Sequence, residues 1–382
     1  MATIRVEPNP RVLAWAAERA GADLLNKFPH FNEWRSGAKK PTLRQLEVFA
    51  KAASVPFGYF FLSEPPEEQL PIPHFRTKGQ TPGKSPSAHL LETVYLMQRR
   101  QAWLREYLID QRHERLPFVG SESVDRDPRQ VALEMRKVLG LNAEWSANLR
   151  TWRDALRALQ EKAEAAGIVV VTSSVLGNST RRKLSVEEFR GFVLVDAYAP
   201  LVFINGADGR AARMFTLAHE LAHIWLGKSA AFDLRILQPA RNKLEDTCNR
   251  IAAEFLVPED SLKDFWPEAR KEANPFQAIA RQFKVSEIVA ARRALDLRLI
   301  TTGDFFAFYD EYERRTREAA ASGEEGGNFY ATQTMRLGRR FAETVIQAVR
   351  ERSLLYHEAY RLTGLYGRTF EQFEKYLSGG MR

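Results

Sequence analysis

The sequence predicts an α+β fold that is predominantly helical. Apolar residues recur at three- and four-residue spacing over most of the chain, and this periodicity indicates amphipathic helices. Three short runs, at 167–172, 189–195 and 201–205, have the composition of strands and predict a small sheet. The 382 residues are 45% hydrophobic and 27% charged, which is ordinary for a globular protein of two or three domains.

Residues 1–62 form the first predicted domain. An amphipathic helix at 11–20 precedes Gly21, and the stretch 34–42 leads into a second helical pattern at 43–52. This arrangement resembles the helix-turn-helix of the Xre/Cro type, with 34–42 similar to the loop that follows its recognition helix. Only twelve residues separate Gly21 from Trp34, which is short for a second helix, a turn and a full recognition helix. Base-specific DNA binding and a degenerate, protein-contacting helical module therefore both remain open.

The next two segments are a linker and a helical region. Residues 63–87 are rich in proline and polar residues, a composition that predicts an extended linker. Residues 88–164 follow as a helical region, because apolar residues recur at helical spacing over 89–115 and 128–165.

The most informative motif is His219-Glu-Leu-Ala-His223. The run from Arg210 into this motif contains neither glycine nor proline, so the motif is predicted to lie within a helix. Two histidines four residues apart share one face of a helix and can hold one zinc ion, while the intervening Glu220 becomes a candidate general base.

A second predicted helix, at 243–257, offers a third metal ligand. Its Glu245 and Glu254 are nine residues apart and point to opposite sides of the helix, so they cannot both face one ion. Glu254 shares its side with Arg250, which predicts a solvated face with an Arg250–Glu254 pair. Glu245 is therefore the predicted ligand, and Asn249, one turn further on, is predicted to orient a ligand imidazole. Two histidines and one carboxylate leave an open position, as in catalytic zinc sites.

The two stretches 215–223 and 245–258 resemble the metal helix and the third-ligand helix of the ImmA/IrrE-type metallopeptidases. The resemblance implies a thermolysin-like core at 165–300, built from the HExxH helix, the third-ligand helix and a small sheet. It also implies one zinc ion per chain. The implied roles, carried over position by position, are His219, His223 and Glu245 as ligands and Glu220 as the catalytic base. This chain has Ala222 where that family usually has glycine.

The C-terminal region, 301–382, is predicted to be helical. Before it, residues 276–295 follow a helix-turn-helix spacing that two helices packed on the peptidase core explain equally well. Residues 322–327 predict a flexible joint. The donor that would stabilise the oxyanion of a peptidase is not identified by the sequence, and Tyr330, His357 and Arg213 are candidates by residue type alone.

Charge and cysteine content limit the partners and the compartment. The net charge of +8 permits acidic or nucleic-acid partners, with nucleic acid as a DNA-binding target or an activator. The single cysteine, Cys248, excludes an internal disulfide, is typical of a reducing cytosol and is predicted to be a packing residue. No run of 18 apolar residues occurs and the N-terminus lacks a signal-peptide core, so we expect a cytoplasmic protein without a membrane partner.

Two functions follow from the resemblance. The first is a zinc-dependent endopeptidase that cleaves a regulatory protein, such as a small helix-turn-helix repressor, in a mobile-element, stress or defence response. The second is a non-proteolytic antitoxin or transcriptional regulator that binds a partner nuclease toxin, with a structural or vestigial zinc site. In both cases a neighbouring gene is expected to encode the partner.

Overall fold

The computed structural model is predominantly helical and contains one small sheet, which confirms the predicted α+β class. It describes residues 4–20, 22–53, 55–66, 71, 74–75, 86–232, 243–319 and 328–379. Most of the predicted linker at 63–87 and the whole predicted joint at 322–327 lie outside the described residues. None of the described helices combines the length and the apolar character that crossing a membrane requires.

The chain divides into two compact units, one drawn from residues 1–71 and 81–94 and the other from 72–80 and 95–382. The finer division into five segments stays a prediction. The smaller unit contains short helices, which are α1 (Pro10–Ala20), α2 (Ala22–Leu25), α3 (Phe31–Ser36), α4 (Leu43–Ala53) and a 3-10 helix (Phe57–Phe61).

The core of the smaller unit is built around the fully buried ring of Phe49. The rings of Phe28, Phe31, Trp34 and Phe60 surround it, with centroids 5.1 to 6.2 Å from that of Phe49. Aromatic pairs at these distances contribute beyond their buried area. This aromatic core holds the very short α3 in place, although a helix of that length is not stable by itself.

The larger unit carries the remaining elements, together with most of α5 (Ala88–Asp110). Its strands are β1 (His74–Phe75), β2 (Val169–Ser173), β3 (Gly191–Leu194), β4 (Leu201–Asn205) and β5 (Ala230–Phe232). Its other helices are α6 (Pro128–Val138), α7 (Trp152–Ala165), α8 (Arg210–Trp225), α9 (Lys243–Leu256), α10 (Glu259–Ala269), α11 (Pro275–Phe283), α12 (Glu287–Asp296), α13 (Thr302–Ala319), α14 (Phe329–Leu337), α15 (Arg339–Arg350), α16 (Tyr356–Thr363) and α17 (Arg368–Leu377).

The helical pattern predicted at 128–165 is interrupted between α6 and α7. Leu139 follows α6, and Gly140 then adopts a positive φ of 62°. Glycine in this left-handed conformation commonly follows the end of a helix, because it has no Cβ to clash with the preceding turn. The glycine was therefore the sequence signal for this break.

The sheet has the order β1-β5-β3-β4-β2 among the described residues. β2 is parallel to β4, β3 is antiparallel to both β4 and β5, and β1 is parallel to β5. Every residue of β2, β3 and β4 is buried, which explains why these strands have continuous apolar runs in the sequence. No sequence pattern predicts β1 and β5, since two and three residues are too few to form one.

Helix α8 occupies the centre of the larger unit. Its twelve consecutive residues from Met214 to Trp225 are all buried, because β3, β4, α6, α7 and α9 contact it. A helix buried on all sides is held by its surroundings rather than by its intrinsic propensity. The position of every side chain along α8 is therefore fixed by packing.

Part of the side of α9 that faces away from α8, around Thr247 and Glu254, is buried, which contradicts the predicted Arg250–Glu254 surface pair. Glu254 is only 5% exposed and forms an ion pair with Arg293 of α12. Arg136 of α6 donates to the carbonyl oxygen of Glu254 at 2.9 Å. Arg250 is exposed. The prediction was wrong because α9 lies between α6 and α8, an arrangement that helical periodicity alone does not reveal.

Helices α14 and α15 pack against β2 at one edge of the sheet. Gly338, between these helices, has a φ of 78°, and a Cβ at this position would lie 2.9 Å from Val169 Cγ1. The carboxylate of Glu164 in α7 accepts a hydrogen bond from the backbone N–H of Arg340 at 3.2 Å. Burial raises the pKa of Glu164 to about 7, although backbone N–H donors at Arg340, Val170 and Arg339 oppose that shift.

We predict that Glu164 makes the free energy of unfolding of the protein depend on pH. A carboxyl group whose pKa is higher in the folded than in the unfolded protein lowers the free energy of unfolding as the pH rises from about 4.5 to about 7. That loss is at most roughly 3 kcal/mol. Glu164→Gln keeps an acceptor and stays neutral, so its stability relative to wild type should be higher at pH 8 than at pH 5 by chemical denaturation. An equal difference at the two pH values would contradict this prediction.

Candidate metal centre

The three polar residues of the predicted motif lie in the middle of α8 and have no exposed surface. His219, Glu220 and His223 are each 0% exposed. Burial of ionisable groups is costly unless they are paired or bind an ion. The contacts of these side chains therefore indicate what this part of α8 can do.

Glu245 of α9 lies against both histidines. The Nε2 atoms of His219 and His223 are 3.1 Å apart. Glu245 Oε2 is 3.2 Å from His219 Nε2, and its Oε1 is 3.3 Å from His223 Nε2. The structure thus brings together two imidazole nitrogens from one helix and a carboxylate from the next.

Asn249 orients one of the two imidazoles. Its side-chain Oδ1 lies 3.0 Å from His219 Nδ1. An amide oxygen only accepts hydrogen bonds, so Nδ1 of the ring carries the proton and donates. In a neutral imidazole this arrangement leaves the lone pair on Nε2, which is the atom that faces His223 and Glu245. The sequence predicted this orienting role for Asn249, and its position is compatible with it.

One carboxylate oxygen of Glu220 lies close to strand β3. Neither of its carboxylate oxygens has a hydrogen-bond partner among the described residues. Burial raises the pKa of Glu220 well above its ordinary value, and the nearby charge of Glu245 adds to the shift. A fully buried carboxylate without a partner is rare in folded proteins and typical of functional sites.

Gly191 of β3 allows the sheet to approach Glu220 closely. A Cβ at this position would lie 2.7 Å from Thr216 Cγ2 and 3.0 Å from Glu220 Oε1. Only glycine therefore fits at this register of the strand without a shift of either neighbour. The sequence reasoning missed this residue, although a glycine that opens a short apolar strand is a signal of close backbone approach.

The donor set fits a divalent cation. Burial lowers the pKa of His219, which keeps its imidazole neutral. Although burial alone would raise the pKa of Glu245, its contacts with His219 and His223 hold it below the ordinary value. Neither Glu245 oxygen makes a well-aligned hydrogen bond to any described group. Two imidazole nitrogens and a carboxylate converging in this way form a donor set that zinc accepts.

Cys248 is also close to the histidines. Its side chain is fully buried, and its Sγ and the ligand atoms of His219 and His223 all lie within 4.8 Å of one another. Burial raises the pKa of the thiol well above its ordinary value, with further contributions from the charges of Glu245 and Glu220. The sequence predicted a packing residue, and Cys248 does belong to the apolar core. The sequence reasoning did not anticipate that it also lies beside the histidines.

The three candidate oxyanion donors have different locations. The Tyr330 hydroxyl donates to Gln372 Oε1 at 2.6 Å, within the C-terminal helices. His357 is exposed on α16. Arg213 is half-buried on α8, seven residues before Glu220 and therefore on nearly the same face of that helix. Of the three, only Arg213 shares an element with the motif.

Comparison with known families identifies two matches. Residues 163–295 match the family model described as Peptidase_M78, IrrE N-terminal-like domain. Residues 337–375 match a model described as a domain of unknown function, DUF8813. No curated protein matches the chain. The first match includes β2, β3, β4, α8 and α9, so the buried cluster lies inside a domain similar to an IrrE-type metallopeptidase, which supports peptidase activity on a protein substrate.

Proposed function

We propose that this protein is a zinc-dependent endopeptidase that cleaves a regulatory protein. The observation that carries this proposal is the buried carboxylate of Glu220, which has no partner among the described residues and lies on the same helix as His219 and His223. A site used only to hold an ion has no need of such a carboxylate, and its burial costs stability. The match to a metallopeptidase family supports the same function.

In this proposal His219, His223 and Glu245 are the zinc ligands. Their ring nitrogens and carboxylate oxygens are 3.1 to 3.3 Å apart. Zinc held there would polarise the scissile carbonyl and make water a stronger acid at neutral pH. Asn249 fixes the ring of His219 so that Nε2 faces the other ligands.

Glu220 is the proposed general base. Burial raises the pKa of Glu220 in the metal-free protein, and a zinc ion held nearby would favour the ionised carboxylate that can accept a proton. It would accept a proton from the attacking water and then pass it to the nitrogen of the leaving amine. The close approach of β3 at Gly191 excludes solvent on one side of the carboxylate. This part of the mechanism therefore depends on the strand as well as on the helix.

The first test concerns the ligands. We expect about one zinc per chain in the purified protein, and His223→Ala or Glu245→Ala should remove it, because each change removes one of three donors. Asp246→Ala is the matched control, since Asp246 is the exposed acidic neighbour of Glu245 on α9 and should leave the zinc in place. Metal analysis of the folded variants measures this. Full zinc content in Glu245→Ala would mean that the proposed ligand set is wrong.

The second test concerns catalysis. Glu220→Gln should keep the zinc and the fold but cleave a partner protein about 10²–10⁴-fold more slowly, because it removes the proton acceptor. The partners to test by co-expression are the products of neighbouring genes, in particular a small helix-turn-helix repressor or a nuclease toxin, with and without added DNA. Mass analysis of the fragments gives the result.

The antitoxin alternative makes the opposite prediction for the same experiment. If wild type and Glu220→Gln bind and neutralise a partner equally, and no fragment forms under any condition, the endopeptidase proposal is wrong. A non-proteolytic antitoxin or regulator with a structural zinc site would then describe the protein.

For the N-terminal unit we propose a protein-contacting module of Xre-like origin. Helix α3 has only six residues, and burial of Phe31 and Trp34 leaves four exposed. Glu33 and Arg35 are among these four, so their formal charges cancel. Major-groove reading requires a longer helix with several side chains at base edges, and phosphate binding requires a basic surface.

We therefore predict that the full-length protein binds DNA weakly and without sequence preference through this unit. The affinity should fall steeply with salt, because any binding would rest on the basic charge of the chain rather than on base contacts. Fluorescence anisotropy with random DNA and with DNA from the protein's own operon measures this. Nanomolar, sequence-selective binding at physiological salt would contradict the prediction.

A further inference from the structure

The face of α9 that contacts α8 carries three different metal-binding or orienting groups. Taking Glu245 as the reference direction, Cys248 lies about 60° to one side and Asn249 about 40° to the other. Glu245 contacts both histidines, and Asn249 accepts from one of them. Cys248 therefore belongs to the same face as two residues that already point at the imidazoles.

The Cys248 thiol also lies close to the ring nitrogens of the two histidines. Its Sγ lies within 4.8 Å of the ligand atoms of His219 and His223. A tetrahedral zinc that binds a thiolate and an imidazole needs these sulfur and nitrogen atoms about 3.6 Å apart. The sulfur therefore lies within about 1.2 Å of the separation that coordination requires.

We propose that Cys248 is a fourth protein donor to the ion, in addition to His219, His223 and Glu245. This inference rests on the zinc site of the proposed function and extends it. Thiolate sulfur is a strong zinc ligand, and Cys248 has no exposed surface through which water could compete for it. When the sulfur binds the ion, the thiol proton passes to a neighbouring carboxylate, which releases it to solvent.

The number of donors decides what kind of site this is. Two histidines and a carboxylate leave one of four positions open, which is typical of a catalytic zinc. Adding the thiolate completes the tetrahedron and gives the closed arrangement of a structural zinc. The resting protein would therefore hold its metal in a closed site, and the Cys248 sulfur would have to leave before substrate could reach the ion.

The competing explanation is that Cys248 only fills space. It belongs to the main apolar cluster with Ile251 and Ala252, its neighbours on α9, and free cysteine commonly packs like a small apolar residue. Packing alone, however, does not require the sulfur to lie on the side of the imidazoles. Spectroscopy of the metal-loaded protein separates the two explanations.

The experiment replaces zinc with cobalt(II) in the full-length protein. Since the chain has a single cysteine, a thiolate-to-cobalt charge-transfer band in the near ultraviolet can arise only from Cys248. We expect one cobalt per chain and this band in wild type. Cys248→Ala should still bind cobalt but lack the band. Added azide should change the visible cobalt spectrum of Cys248→Ala and leave that of wild type unchanged, because only the variant has an open position.

The controls distinguish failure of this inference from failure of the proposed function. Cys248→Ser nearly preserves the size of the side chain. It should also lack the band while keeping the cobalt, which would show that loss of the band in Cys248→Ala does not come from a change in packing. Stoichiometric cobalt without the band in wild type, or an equal azide response in wild type and Cys248→Ala, overturns the fourth-donor inference and leaves the zinc proposal intact. A Glu245→Gln variant whose cobalt spectrum matches wild type would show a two-histidine, one-cysteine site and overturn the proposed ligand role of Glu245. Failure of wild type to bind cobalt or zinc overturns both.

Discussion

Burial of a polar cluster between α8 and α9 is the constraint on which the rest of the larger unit depends. His219, Glu220 and His223 have no exposed surface, and Glu245 is only 5% exposed. Each buried polar group that lacks a partner costs about 1–3 kcal/mol. The apolar packing of the sheet, α6 and α7 around α8 has to offset that cost. The long run of buried residues along α8 is therefore what allows the fold to hold such a site.

The same burial restricts which residues the neighbouring strand and helices can carry. Gly191 is required where β3 crosses above Glu220, because any Cβ there would collide with Thr216 or with the carboxylate itself. On the other side, Glu254 and Arg293 form a buried ion pair that fixes α9 against α12. Removing one partner of such a pair leaves an uncompensated charge and is strongly destabilising. α9 is thus held on both faces, which fixes the positions of the side chains that it directs at the histidines.

The two units have hydrophobic cores of different composition. The smaller unit packs its short helices around the aromatic ring of Phe49, and its surface at α3 carries one acidic and one basic side chain. The larger unit packs aliphatic and aromatic side chains together around α8 and buries a cluster of ionisable side chains within that core. Under the proposed function, the protein-contacting module and the metal centre therefore rest on separately built cores.

The sequence by itself determined what depends on local periodicity. The four-residue spacing of His219 and His223, the direction of Glu245 on its helix and the helical class of the fold all follow from 3.6 residues per turn. Only the tertiary structure decided which further faces are buried and which groups meet. The burial of Glu254, the close approach at Gly191 and the position of Cys248 beside the imidazoles depend on elements that are distant in sequence. Periodicity relates side chains within one helix, and it carries no information about what packs against the opposite side.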